Sequence, residues 1–183
     1  MLRMFLVFVL LGLLLSSGVV AADKKKDKNR YEDDDIGFRV VPRSPDNIIA
    51  FYQGRGFLQT AIDEIKKTCY VTFLMRNLSD SIIWLDLDNW RYISDDPNFK
   101  RLKRPYWKEK WQVLNLPMSF QSTFGWSLLP DVRDLHPDEG VGGSTTFTFT
   151  DKPFIVEARF KLGRNKDEGE KVIRFEQVRC VEQ

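Results

Sequence analysis

The stretch KKTCYVTFLMRN (residues 66–77) decides the fold, because the hydrophobic periodicity of the chain changes there. Before it, apolar residues recur at helical spacing. Within it, alternate residues are apolar, namely Cys69, Val71, Phe73 and Met75. A period of two residues is that of a β-strand with one face against a core. The stretch therefore predicts a strand that begins with a cysteine.

The residues that follow indicate a return strand. The polar sequence NLSD (77–80) is typical of a turn. The sequence SIIWLDLDNW (81–90) then alternates again, with Ile83, Leu85 and Leu87 at one parity. Two alternating runs around a short polar turn predict a β-hairpin.

The C-terminal third contains the clearest strand pattern. Residues 154–162 alternate between apolar and polar side chains, and a polar loop (163–169) leads into a last run. In that run the alternation slips, since Ile173 and Phe175 share one parity whereas Val178 and Cys180 share the other. One extra residue near position 176, a β-bulge, would place all four on one face.

Two short helices are expected ahead of the first strand pattern. Ser44 and Pro45 precede NIIAFYQ (47–53), and serine at a cap with proline in the first turn is typical of a helix start. A second helix is predicted over FLQTAIDEIKK (57–67), where the apolar residues share one helical face. Residues 91–144 are less regular, and within them MSFQSTFGWSL (118–128) predicts another strand.

These patterns predict a mostly β fold. We expect an antiparallel β-sandwich over residues 36–183, with one or two short N-terminal helices. Immunoglobulin-like topology is the commonest version of such a sandwich. The strand order does not follow from the pattern.

The N-terminus has the layout of a secretory signal peptide. A basic start at Arg3 precedes an apolar run (5–15) and the small residues Val20, Ala21 and Ala22. The apolar run is shorter than the roughly 20 residues that span a bilayer. We therefore expect residues 1–22 to be cleaved near Ala22, a periplasmic or extracellular location, and no transmembrane span in the mature chain. The charged stretch DKKKDKNRYEDDD (23–35) predicts a disordered linker.

The two cysteines, Cys69 and Cys180, are best explained as one disulfide. An exported chain matures in an oxidising compartment, and each cysteine lies at the end of a predicted strand, on its apolar parity. A nucleophilic thiol would need a neighbouring base, and the chain has a single histidine. A metal site would need more ligands than two thiolates provide.

A basic and aromatic segment, KRLKRPYWKEKW (100–111), is the main candidate for ligand binding. With 28 basic and 26 acidic residues in the whole chain, global charge identifies no partner. Within the segment, cations could attract anions while tryptophans stack on sugars or enter a lipid interface. The alternative is a solvated loop whose tryptophans face the core. The candidate contact residues are Lys100, Arg101, Lys103, Arg104, Trp107, Lys108, Lys110 and Trp111.

A second candidate is the acidic loop at 131–139. Its potential oxygen and imidazole ligands for a divalent cation are Asp131, Asp134, His136, Asp138 and Glu139. Their spacing matches no calcium loop or zinc signature, and prolines and glycines around them suit an ordinary surface loop. Arg55, between two glycines, could bind an anion or pair with an acid of the domain.

Catalysis is not favoured by the sequence. A Ser-His-Asp relay would depend on His136, and no nucleophile-elbow motif is present. Asp86 and Asp88 could form the carboxylate pair of a small hydrolase.

The sequence therefore predicts a non-enzymatic, exported binding or structural module without a cofactor. The expected partners are anionic lipid, lipopolysaccharide, acidic glycan or another envelope protein, and no nucleic acid. A divalent-metal carrier and a carboxylate hydrolase are the alternatives.

Overall fold

The computed structural model describes residues 27–182, so the predicted signal peptide lies outside the described residues. This part of the chain forms ten strands and four helices. The strands are β1 (Arg30–Glu32), β2 (Ile36–Pro42), β3 (Thr68–Asn77), β4 (Ile83–Asp86), β5 (Arg91–Ser94), β6 (Arg101–Leu102), β7 (Val132–Leu135), β8 (Gly140–Thr148), β9 (Phe154–Leu162) and β10 (Glu170–Val178). The helices are α1 (Pro45–Gln53), α2 (Gln59–Lys66), α3 (Arg104–Val113) and α4 (Met118–Ser127).

The strands form two antiparallel sheets, which confirms the prediction of a mostly β protein. The first sheet has the order β1-β2-β3-β8-β6. The second has the order β10-β9-β4-β7, and β5 also pairs with β9. Inward-facing apolar side chains of both sheets meet in one core. A second, smaller core lies between the four helices and the outer face of the first sheet.

The alternation around Cys69 has the predicted outcome on the inner face of β3. Cys69, Val71, Phe73 and Met75 are all buried in the core shared by the sheets. The outer face of the same strand is divided. Tyr70 is covered by the helices, whereas Leu74 is exposed. The helical layer therefore covers one half of this outer face and leaves the other half open.

The predicted hairpin is wrong. β3 pairs with β2 and β8, whereas β4 pairs with β7 and β9, so the polar turn carries the chain from one sheet to the other. The side-chain amide of Asn77 is buried and donates hydrogen bonds to the carbonyls of Ser81 (2.7 Å) and Leu135 (2.8 Å). These bonds direct the chain across the core rather than back along β3.

Residues 27–182 contain four helices rather than the one or two predicted. The two predicted helices are present, and the Ser44 hydroxyl caps α1 by accepting a hydrogen bond from the backbone amide of Asn47 (3.3 Å). The prediction of a strand over residues 118–128 is wrong, because Met118–Ser127 form the helix α4. Phe120 and Phe124 are four residues apart and pack one turn apart against the helical core, which a helix permits and a strand does not.

The predicted linker is wrong for residues 27–35, because part of it is the short edge strand β1. Asp33 and Asp35 both pair with Lys171 of β10, at 2.6 Å for Asp33 Oδ2. The charges that suggested disorder thus attach this strand to the second sheet.

The end of β10 and the cysteines agree with the sequence predictions. The pairing register of β10 with β9 shifts between Phe175 and Val178, where the bulge was expected. Cys69 and Cys180 form a disulfide with 2.10 Å between the sulfur atoms. No helix within residues 27–182 is long and apolar enough to cross a bilayer.

Candidate functional site

A cleft of about 410 Å³ lies on the outer face of the first sheet. It lies where the helical layer ends, between α1, α4 and the open half of β3 and β8. Its walls combine apolar and uncharged polar side chains with one cation. The lining residues are Arg43, Asn47, Ile48, Phe51, Tyr70, Thr72, Leu74, Trp126, Ser127, Gly142, Gly143 and Ser144.

Two glycines of β8 shape the cleft: one leaves space at its floor, and the other lets the backbone at Leu129 approach β8 closely. A Cβ atom on Gly142 would lie 2.8 Å from the Leu74 side chain, so a larger residue there would fill the floor. A Cβ atom on Gly143 would lie 2.5 Å from the backbone of Leu129. Gly143 therefore permits the close approach in which the Leu129 amide donates to the Ser144 carbonyl (2.9 Å).

Arg43 supplies the only positive charge among the residues that line the cleft. Its Nε donates a hydrogen bond to the Thr72 hydroxyl (2.9 Å), which in turn bonds to the hydroxyl of Ser144 (2.9 Å). No carboxylate of the described chain forms an ion pair with Arg43. The terminal nitrogens of this partly buried guanidinium are thus available to an anion.

A hydroxyl cluster lies beneath the cleft. The Tyr52 hydroxyl is 2.7 Å from that of Tyr70 and 2.8 Å from that of Ser127, which itself donates to the Phe124 carbonyl (2.7 Å). Burial raises the pKa of Tyr52 and the pKa of Tyr70 above the usual tyrosine value. Both phenols therefore stay neutral near pH 7, and the cluster can exchange hydrogen bonds but provides no phenolate base.

An exposed aromatic pair forms the rim. Trp126 of α4 is 91% exposed and Phe51 of α1 is 39% exposed. Both also line a second depression of about 390 Å³, together with Arg55, Ser122, Thr123 and Ser127. Trp126 is therefore shared by two neighbouring concave surfaces.

Of the two alternatives for Arg55, pairing with an acid does not occur within the described part of the chain. Its guanidinium lies 3.5 Å from the centre of the Phe51 ring, and its Nη1 donates to the Phe51 carbonyl (2.9 Å). Within residues 27–182 it has no carboxylate partner. The second depression thus also has one cation free of an ion pair.

The basic and aromatic segment is not an exposed aromatic surface. Residues 104–113 form α3, and Trp107 and Trp111, each 2% exposed, point into the helical core. Trp107 Nε1 donates to the Thr146 hydroxyl of β8 (2.8 Å). Helical spacing places both rings against the first sheet, so they expose little surface, and their contact with a ligand stays a prediction.

Most cations of this segment have partners within the domain. Arg101, whose side chain is 8% exposed, pairs with Asp88 (3.2 Å) and also with Asp131. The remaining pairs are Lys103 with Asp88 (2.7 Å), Arg104 with Asp131 (3.1 Å) and Lys110 with Glu64 (3.0 Å). Lys100 and Lys108 are exposed and have no ion pair with the described residues.

The acidic loop does not assemble a metal site in residues 27–182, where no three potential ligand side chains come together. Asp131 binds the two arginines named above, and Asp138 pairs with Arg76 (3.3 Å). Asp134 lies 3.4 Å from His136, whose backbone amide donates to Glu139 (3.1 Å). These side chains hold the loop and β7 in place.

Asp86 and Asp88 shape the turn after β4. Asp86 accepts hydrogen bonds from the Asp88 amide and the Asn89 side chain, both at 3.0 Å. The hydrogen bond from Lys103 lowers the pKa of Asp88. A general acid of a hydrolase needs a raised pKa, so this arrangement does not favour the hydrolase alternative.

Sequence reasoning missed the cleft because its walls come from four separate parts of the chain, within residues 43–51, 70–74, 126–127 and 142–144. One signal was present. Two glycines inside a strand mark a close approach of backbone or ligand, and Gly142 and Gly143 lie in β8. Trp126 was hidden by the prediction of a strand over α4.

No protein-family model, curated protein or solved structure matches this chain. The residues of the cleft and of the second depression are the basis of the function proposed below.

Proposed function

We propose that the chain is an exported, non-enzymatic binding module that holds an anionic ligand in the cleft between α1 and α4. One observation carries the proposal. Arg43, partly buried at the wall of a concave surface of about 410 Å³, has no carboxylate partner in residues 27–182.

A guanidinium in such a position favours an anionic guest. Burial of a guanidinium costs free energy of hydration, which an opposite charge offsets, so fully buried arginines are almost always paired. The fork of donors on Arg43 suits a carboxylate or phosphate in a bidentate arrangement. The volume lies within the range of small-ligand sites, and the apolar walls around a few polar groups have their usual composition.

This proposal keeps an anion as the ligand class expected from the sequence, but it places the contact surface in the cleft rather than at residues 100–111. The anionic ligand was predicted to meet residues 100–111, whose two tryptophan rings are buried and whose cations are mostly paired. The exposed Lys100 and Lys108 remain able to attract an anion over a distance.

The test measures binding of polygalacturonate, lipopolysaccharide and phosphatidylglycerol vesicles to the mature chain at two salt concentrations. We expect one of these anions to bind, more weakly at high salt. Arg43→Gln should weaken that binding about tenfold or more, because a charged hydrogen bond is lost.

The matched control is Arg133→Gln, which removes the same charge from an exposed position of β7 in the other sheet. It should leave the affinity unchanged. Binding of none of the three anions, or equal losses in both variants, would contradict the proposal.

Export is supported by the residues of the N-terminus and by the disulfide. A disulfide persists in oxidising compartments. Expression of the full chain in a secreting host should give a mature protein that starts at Asp23, as read by N-terminal sequencing; an intact N-terminus would refute export by this route.

We also propose that the two sheets form a β-sandwich. The support is a single core filled from both sheets. The immunoglobulin-like version remains a prediction.

A further inference from the structure

We propose that the ligand is a linear acidic oligosaccharide of at least two rings, which lies across Trp126 with one ring in the cleft and the next in the second depression. This inference rests on the proposed function, because it names the ligand class of the same cleft. It extends the site to a second cation and a shared aromatic platform.

The two depressions offer the same set of groups. The cleft has Arg43, and the second depression has Arg55, and neither arginine has an acidic partner in the described chain. The volumes are about 410 and 390 Å³. A ligand with one carboxylate on every ring matches this repetition, whereas a single isolated anion would use only one half of it.

Trp126 lies at the junction, since it lines both depressions. Its ring is 91% exposed, which leaves a large flat apolar surface in water. The carbon-bound hydrogens on one face of a pyranose form a flat apolar patch of similar extent, and stacking would remove both surfaces from water. The indole N–H remains available as a donor to a ring hydroxyl.

The uncharged polar side chains favour a sugar over a lipid surface. Asn47, Thr72 and Ser144 line the cleft, and Ser122 and Thr123 line the second depression. Ser127 is common to both. Amides and hydroxyls at this density can exchange hydrogen bonds with the hydroxyls of a sugar, while insertion into a bilayer would desolvate them without partners.

Arg55 is held in place before any ligand arrives. Its contact with the Phe51 ring at 3.5 Å and its bond to the Phe51 carbonyl fix the guanidinium at the rim. Preorganisation of this kind lowers the entropy lost on binding. The second ring should therefore contribute affinity rather than merely be tolerated.

The experiment titrates the mature chain calorimetrically with uronic acids of increasing length. The probes are galacturonate, digalacturonate and dimannuronate, with neutral cellobiose as the uncharged comparison. We expect at least one acidic dimer to bind about tenfold or more tightly than the monomer, and cellobiose to bind more weakly than that dimer.

Three variants separate the contributions. Arg55→Gln should remove the advantage of the dimer and leave monomer affinity within about twofold. Trp126→Ala should weaken the dimer about tenfold or more, because stacking on an exposed ring is lost. Arg133→Gln, outside both depressions, should change neither.

The outcomes distinguish this inference from the proposed function. Equal affinity for monomer and dimer, unchanged by Arg55→Gln, would overturn the two-ring ligand while leaving an anion at Arg43. Binding of phosphatidylglycerol vesicles, together with no binding of galacturonate, digalacturonate or dimannuronate, would also overturn the two-ring ligand. It would assign a lipid as the ligand instead. Binding of the uronates that is unaffected by Arg43→Gln would contradict the proposed function itself.

Discussion

At the scale of single residues, Trp107 and Trp111 illustrate how spacing decides a role. The two rings are four residues apart in α3, so they share one face, whereas Lys108 is exposed and Lys110 pairs with Glu64. They stack on each other with 4.9 Å between ring centres. They differ in one respect. Trp107 Nε1 donates to Thr146, whereas Trp111 Nε1 is buried with no partner in the described chain.

This difference predicts unequal costs for the same substitution. Trp107→Phe and Trp111→Phe remove equal volume at equal burial, but only the first also breaks a hydrogen bond. Trp107→Phe should therefore lower the free energy of unfolding by about 1 kcal/mol more than Trp111→Phe. Urea unfolding followed by circular dichroism measures both. If Trp111→Phe proved the more damaging, the assigned bond to Thr146 would be refuted.

Residues whose roles are set locally were predictable from sequence. The cap at Ser44, the bulge before Val178 and the pairing of Cys69 with Cys180 each follow from a few neighbours or from the cysteine count. The role of Arg43 at the cleft was not predictable, because no residue near it in sequence indicates that its guanidinium forms no ion pair within the described chain. Its role depends on α4, a helix about eighty residues later in the chain.

At the scale of elements, β1 is held both by Tyr31, which packs against the core, and by charges that follow the strand. It is an edge strand of three residues, and Asp33 and Asp35 beyond it hold Lys171, whose side chain is 15% exposed. Partial burial alone would raise the pKa of Asp33, but hydrogen bonds from Lys171 and Tyr31 outweigh it and hold this pKa well below the usual value. The sequence showed the charges but not the lysine that they meet.

The pH dependence follows from that lowered pKa. The folded protein binds fewer protons at Asp33 than the unfolded chain does, so this carboxylate stabilises the fold above about pH 4, and the contribution is lost as the pH falls further. Lys171→Met should cost about 1 kcal/mol at pH 7. The difference in unfolding free energy between wild type and Lys171→Met should become smaller from pH 7 to pH 2.

Urea midpoints at several pH values test this, with Lys108→Met as the control at an exposed lysine that has no ion pair. A gap that is constant with pH, or equal in both variants, would show that β1 is not held by these charges. The same comparison by hydrogen exchange should find faster exchange in β1 and at the start of β2 only for Lys171→Met.

At the scale of the whole molecule, the strands are divided between two sheets. The alternation of apolar residues within a strand does not show which of the two sheets that strand joins. The hairpin expected between β3 and β4 failed for this reason. The alternation was correct on both strands, yet the buried amide of Asn77 sends the chain across the core. Periodicity predicts a face, and partner choice depends on distant contacts.

Within the described residues, the disulfide is the one covalent link between side chains of the two sheets. Cys69 lies on the inner face of β3, and Cys180 follows β10 of the other sheet, with a sequence separation of 111. Closing a loop of this length restricts the unfolded chain. The chain-entropy model gives a stabilisation of about 4–5 kcal/mol for such a loop, and disulfides in proteins typically contribute about 2–4 kcal/mol. The variant Cys69→Ala with Cys180→Ala should therefore fold but lose about 2–5 kcal/mol.

The mechanism predicts a second signature beyond the lower midpoint. Without the link the unfolded chain expands and exposes more surface, so the slope of unfolding free energy against urea should increase. Adding reductant should reproduce both changes in the wild type and have no effect on the double variant. Because the cleft is built by α1, α4, β3 and β8 and contains neither cysteine, its affinity for an anion should be kept in the folded variant. Two reactive thiols in the purified native protein, or an unchanged urea midpoint, would show that this link does not hold the sheets together.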